Sequence, residues 1–240
     1  MRALAQKYPR WGYRKMKHKL TITASYNRVY RVWRKSGLSL PRPRHGKRIR
    51  GQGHRWMSAI APNGIWTYDF IFDACANGEK LKMLVVTDEY NRKCLSILVL
   101  SKIRSKQVIQ ELSRLFALHG PPHNLRSDNG PEFVAKSVQK WLRDSGVATA
   151  YVEPGKPWQN GLAESVNSVF RNECLDFERF ANKSEAKIII ENWRLQYNYE
   201  RPHGSLNYKT PAQFCTSWQK NSAHLWRNSV TFQKYEGLSL

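Results

Sequence analysis

The chain is short of everything that would staple it, anchor it or give it a common catalytic signature. Its four cysteines, Cys75, Cys94, Cys174 and Cys215, are scattered with no CxxC spacing. That argues against a disulfide framework or a cysteine zinc site and reads as core thiols in a reducing compartment. No apolar run approaches the ~20 residues that cross a bilayer, and the N-terminus is basic rather than signal-like, so a cytoplasmic setting is expected. Phosphate-cradling glycine loops, Ser-His-Asp and Cys-His arrangements and internal repeats all find no support. Acid is missing most unevenly. Residues 1–55 hold 17 Lys or Arg and no Asp or Glu, while the other 185 residues carry 23 basic and 18 acidic ones within a net charge of +22.

What is present supports a packed protein. A length of 240 residues with 41% hydrophobic content and nine Trp allows a core domain of ordinary size and a small companion. The basic arm fits a polyanion, whose phosphates would make binding strongly salt-dependent. Acidic lipid is the alternative partner and a solvated tail the bland one. Trp11, Tyr13, Tyr30 and Trp33 argue against the tail.

Hydrophobic spacing divides the chain. Tyr13, Met16 and Leu20 share one side of a helix, and a second helix capped by Asn27 carries Val29, Val32 and Trp33 and stops at Gly37. Arg28, Arg31 and Lys35 lie on another face of it, suited to phosphate or a groove, or simply to solvent. Residues 1–40 thus read as a helical basic module and 41–58 as an extended basic linker. Residues 59–215 read as a mixed α/β core and 216–240 as a C-terminal tail. Within the core, strands are expected at Ile65–Ala74, Lys82–Thr87, Cys94–Leu100, Asn124–Ser127 and Ala148–Val152. Helices are expected at Ser105–His119, Ser137–Ser145, Gly161–Leu175 and Glu185–Tyr199.

Three acids stand out in this order. Asp69 sits mid-strand among apolar neighbours, where a charge is costly unless paired or metal-bound. Asp128 opens an Asp-Asn-Gly-Pro sequence at a strand end, a place for an active site and equally for a plain turn. Glu164 lies 35 intervening residues later, on a helix whose Leu162, Val166, Val169 and Phe170 form an inward stripe. Asn160, Asn167, Ser168 and Arg171 share its other side, as a polar stripe facing either a site or water. Carboxylate oxygens are the ligands hard divalent cations prefer, and paired cations drive phosphodiester displacement. Asp73, Asp88 and His203 read as structural.

These motifs together resemble the second-frame catalytic transposase of the insertion sequence three family, which belongs with retroviral integrases in the DDE group. The resemblance spans about residues 5–215. It rests on the triad and its interval, Arg171 seven residues after Glu164, Pro154-Gly155-Lys156-Pro157, and Tyr197-Asn198-Tyr199-Glu200-Arg201-Pro202-His203 through Tyr208-Lys209-Thr210-Pro211. It implies a ribonuclease-H-like integrase core, a mixed five-stranded sheet flanked by helices, behind a helical DNA-binding module at Tyr8–Arg14. Asp69, Asp128 and Glu164 would be catalytic and would bind two Mg²⁺ ions, with Mn²⁺ as substitute, for DNA strand cleavage and 3′-OH strand transfer. Arg171, Lys156, Asn160, Asn167, Arg28, Arg31 and Lys35 are the candidate DNA contacts. The implied partners are double-stranded DNA (element ends and target), a second copy of the chain, and an upstream-frame helix-turn-helix and zipper protein. An inactive or partner-dependent DNA-binding remnant is the alternative. The start at Met1, close to the module, predicts missing upstream residues, and a short link between Leu20 and Tyr26 predicts a disturbed second helix.

Overall fold

The computed structural model describes residues 1–40, 58–127, 130, 135–151 and 160–220. At its centre, β1 (Ile65–Ala74) pairs antiparallel with β2 (Lys80–Asp88), and β2 pairs antiparallel with β3 (Cys94–Leu100). On the other side of β1, β4 (Asn124–Ser127) and then β5 (Ala148–Tyr151) run parallel, giving the order β3-β2-β1-β4-β5. Parallel neighbours need long crossovers. Helix α4 (Ser105–His119) lies in the connection into β4, and α5 (Lys136–Asp144) in the one into β5.

Both faces of the sheet are covered, which is why β2 reads Met83-Leu84-Val85-Val86 without alternation. Met83 and Val85, with Ile71, Ile97 and Val99, meet α6 (Gly161–Phe170) and α7 (Lys183–Tyr199) through Val166, Phe170, Ile190 and Trp193. Leu84 and Val86, with Trp66 and Tyr68, meet α4 and α5 through Val108, Leu112, Leu115, Val138 and Leu142. Each such aliphatic side chain contributes roughly 1.5–3 kcal/mol when fully buried. At the sheet's outer edge, the fully buried Asn198 of α7 pairs with the start of β3. Its Oδ1 accepts the Cys94 amide at 2.9 Å and its Nδ2 donates to the Cys94 carbonyl at 2.8 Å. The Arg194 guanidinium donates to the same carbonyl at 3.0 Å.

Several expectations are corrected in detail. β2 starts two residues early, at Lys80, and α7 starts at Lys183, where the Asn182 side chain accepts the Glu185 amide. The helix expected unbroken over 161–175 is α-helical only to Phe170, and Arg171–Leu175 is a π turn. Residues 211–220 are helical, so the core boundary expected at 215 falls inside an element. Nearly all of the linker, and most of the tail, lie outside the described residues.

At the N-terminus, α1 (Arg2–Lys7) was not expected, and α2 (Tyr13–Lys17) is short. The second helix is intact despite the short link before it. It is α3 (Tyr26–Lys35), and Ser25 caps it in place of Asn27 by accepting the Arg28 amide. Val29 and Trp33 are buried, but Val32 is 45% exposed and does not belong to the inward set. Gly37, at φ +69°, ends the chain's helical run where a side chain would be strained.

This three-helix module packs on the core. Tyr8 and Trp11 stack with ring centroids 3.9 Å apart, and the Tyr8 hydroxyl donates to Glu200 at the end of α7. Lys7 also reaches Glu200, at 3.2 Å. His18 stacks on Tyr208 at 4.2 Å. Trp11 and Lys15 reach Glu173 in the π turn at 3.1 and 2.8 Å, and Arg201 grips the same carboxylate through two bonds of 2.7 and 2.8 Å. A buried carboxylate stripped of such donors destabilises strongly, so these bonds fix the interface.

His203 is buried edge-on against the Tyr197 ring, and it reads as the structural histidine it was expected to be. Burial, reinforced by the neighbouring Arg201 charge, pushes its pKa down to about 3. An unfolded histidine titrates near 6.5, so the stability due to neutral His203 is complete above that pH and is lost as pH falls toward 3. Urea midpoints should therefore fall on acidification, and His203→Gln should show a fall smaller by about 1 kcal/mol between roughly pH 7.5 and 5.5.

Candidate active site

β1 is the strand on which the site is built. Asp69 lies at its middle, opposite Val85 of β2, and faces the side covered by α6. It is half-buried, and one carboxylate oxygen accepts the Phe70 amide at 2.8 Å. The other accepts the Asn167 side-chain amide at 2.6 Å, a contact between residues 98 positions apart. Charge-assisted bonds of this length are among the stronger ones in proteins.

That bond fixes which face of α6 meets the strand. Leu162, Ala163, Val166 and Phe170 are buried, whereas Glu164 is exposed and lies one turn before Asn167 on the same side. Residues three apart on a helix have Cβ atoms about 5–6 Å apart. Arg171, two turns after Glu164, donates to the Phe72 carbonyl of β1 at 3.2 Å and lies 3.9 Å from Asp176. Asp69, Glu164, Asn167 and Arg171 are therefore gathered along one seam between β1 and the helix.

The third acid is approached from β4. Thr67 pairs with Arg126, so that pairing lies two positions before Asp69 in one strand and two before Asp128 in the sequence. Arg126 is held by a buried pair with Glu89, at 2.9 and 3.0 Å to its two oxygens, next to Ser127 at the strand's end. Asp128 and Lys156 themselves lie outside the described residues. Among the described residues, no three His, Cys, Asp or Glu side chains gather as a metal centre.

The donors that are described suit a hard divalent cation. Asp69 and Glu164 offer only carboxylate oxygen, the ligand type Mg²⁺ takes. Beside Asp69, the Asn167 amide oxygen is buried and has no hydrogen-bond partner among the described residues, and the same holds for the Asn160 oxygen at the start of α6. Unpaired buried acceptors are costly, and a cation or a donor from a ligand would satisfy them.

The candidate DNA contacts fall into separate places. Arg28, Arg31 and Lys35 are exposed along one face of α3, away from the buried Val29 and Trp33. Asn160 is buried at 7% exposure and Asn167 is engaged with Asp69, so both belong to the seam itself and not to an open contact surface. Sequence reading missed Glu173, Glu89 and Arg126. Glu173 alone left a trace, because it falls nine residues after Glu164, on the side of the helix that the apolar stripe occupies.

The sequence matches the family described as an integrase core domain over residues 59–157, and a second family of that description over 145–211. It is 34% identical over 232 residues to an uncharacterized 39.2 kDa protein of insertion element IS476 from Xanthomonas euvesicatoria. That match covers 95% of this chain and 66% of the relative. An uncharacterized 31.7 kDa protein of insertion element IS407 from Burkholderia multivorans is 35% identical, over 88% of this chain and 77% of its own. Among solved structures, the HTLV-2 integrase catalytic core domain in complex with magnesium superposes at a TM-score of 0.50 and 20% identity, over 65% of this chain and 98% of its own. The simian T-cell lymphotropic virus intasome in complex with a PP2A regulatory subunit matches 90% of this chain and 74% of its own at 0.59 and 17%. The fold is accordingly that of the integrase catalytic cores, ribonuclease-H-like, with a helical N-terminal region.

Two outcomes check the geometry. Asn167→Ala removes the 2.6 Å donor to Asp69 and should destabilise by about 1–3 kcal/mol in urea melts, the range for a bond to a charged group. The Arg28, Arg31, Lys35 triple alanine should make the salt dependence of duplex-DNA binding shallower by about 2.7 in the log–log slope, as loss of three phosphate contacts requires. Fluorescence anisotropy across a salt series measures it.

Proposed function

Because this chain belongs to the integrase-core transposases of bacterial insertion elements, of the insertion sequence three type, we propose that it cuts and joins DNA strands during transposition. The observation that carries the reading is the Asn167–Asp69 bond, which lays the Glu164 face of α6 against the acid-bearing strand. Asp69, Asp128 and Glu164 are the residues that would hold two Mg²⁺ ions, or Mn²⁺ in their place. When bound, such ions lower the pKa of a coordinated water and offset charge at a phosphodiester.

The chain's own residues supply position. Asn167 holds the Asp69 carboxylate in one orientation, and the apolar stripe of α6 holds Glu164 toward the same seam. Arg171 and Lys156 offer cations to the DNA backbone near the scissile phosphate, and the α3 face offers three more to the flanking duplex. In the first reaction, water attacks the phosphodiester at the element's end, the P–O3′ bond breaks, and a 3′-OH is left. In the second, that 3′-OH attacks a target phosphodiester. One bond forms as one breaks, so no external energy source is needed. Two ends must be held together, which calls for at least a second copy of the chain, and an upstream-frame helix-turn-helix and zipper protein is the proposed further partner. The working place is the bacterial cytoplasm, at the nucleoid.

The test is joining of an oligonucleotide end with a free 3′-OH to a plasmid. Joining is expected in Mg²⁺ and to be lost in Asp128→Asn and in Glu164→Gln, with duplex binding retained. Joining that survives both substitutions overturns the site. Binding without joining, even with the upstream protein supplied, makes the chain a DNA-binding remnant.

A further inference from the structure

Glu173 is an acid where the helix pattern calls for an apolar side chain. At 100° per residue it lies about half a turn around the helix from Glu164, in line with Leu162, Val166 and Phe170. Its side chain is 8% exposed. Four donors answer it from two distant parts of the chain. Arg201, beyond α7, gives two bonds to the carboxylate, and Trp11 and Lys15 of the N-terminal module give one each. Burial pulls the Glu173 carboxyl upward, but Arg201 and Lys15 overcome it and leave its pKa below the ordinary value. Lys15 is the weaker-held cation, since burial and the Arg201 charge both lower its pKa.

The backbone at this point is a π turn, Arg171–Leu175, continuous with α6. A π turn holds one more residue than an α turn, has poorer geometry, and persists where its surroundings favour it. Here it is pinned from two sides. Arg171, its first residue, is bonded to the Phe72 carbonyl, three residues along β1 from Asp69. Glu173, at its centre, is bonded to the module. Return of this turn to α geometry would rotate everything after it by about 100° relative to α6, and would pull Arg171 and the end of α6 away from β1.

We propose that Glu173 is a positioning residue for Glu164 and Arg171, and that the N-terminal module works through it. With Trp11 and Lys15 docked, the π turn holds α6 against β1; with the module released, it does not. The module is then part of the machinery that sets the acid site, besides whatever DNA it binds through α3. This inference rests on the transposase reading.

The experiment uses the full chain and the partner-side residue, so that the Glu173–Arg201 pair inside the core stays intact. Lys15→Met, Lys15→Arg and Glu173→Gln are compared with the unaltered protein in single-turnover joining, in end binding without divalent ion, and in hydrogen–deuterium exchange of residues 161–175. Lys15→Met is expected to join at least tenfold more slowly with end affinity changed less than twofold, and to exchange at least fivefold faster over 161–175. Lys15→Arg should restore both, and Glu173→Gln should exceed Lys15→Met in both. Unaltered exchange in Lys15→Met overturns the proposal. So does a rate loss matched by an equal loss of end affinity, which would make Lys15 a DNA contact. If the unaltered protein joins nothing, the transposase reading fails by itself, and the exchange result still decides whether module docking governs α6.

Discussion

A carboxylate in the middle of a strand that is covered on both sides is the constraint around which this molecule is arranged. Asp69 cannot turn to open water as a loop acid would, so its oxygens must be met by fixed donors. The Phe70 amide meets one and Asn167 the other. The second is the informative one, because it ties the strand to a helix that follows 98 residues later. Once Asn167 faces Asp69, helical geometry leaves little choice for the rest. Glu164 and Arg171 share that side, and Leu162, Val166 and Phe170 go into the core. Catalytic layout and core packing are thus two faces of one helix, and a change to either is felt by the other.

The catalytic region was well marked in the sequence because its patterns are local. Apolar runs of β1 to β3, the stripes of α4 and α6, and stops such as Gly37 depend on residues a few positions apart. Asp88 was rightly read as structural: buried, it accepts the amides of Asn63, Tyr90 and Asn91. What escaped was decided at a distance. Asn160 and Asn167 read as open DNA contacts because their polar stripe could face a site or water equally well, and only the sheet below them settles which. Val32 fits the helical period but has nothing to pack against. The π turn has no periodic signature over five residues.

The same reasoning explains why the module was read as an arm for DNA alone. Its charge is so lopsided that a polyanion accounts for all of it. In the structure the basic side chains divide. Arg28, Arg31 and Lys35 stay exposed on α3, while Lys7, Lys15 and Lys19 turn toward Glu200 and Glu173. Composition counts both sets alike. Only the positions of two acids in the core, one ending α7 and one inside the π turn, separate the cations that hold the protein together from those left for a partner.

The side-chain amide of Asn198 has a consequence of a different kind. β3 is the last strand of its sheet, and an open strand edge can recruit another chain into a growing ribbon. At Cys94 the backbone donor and acceptor that would begin such pairing are already matched by Asn198, and Arg194 adds a bulky cation to the same carbonyl. The amide mimics one residue of a sixth strand and stops there. A protein that must gather several copies of itself on one DNA thereby keeps its crowded sheets from adhering edge to edge.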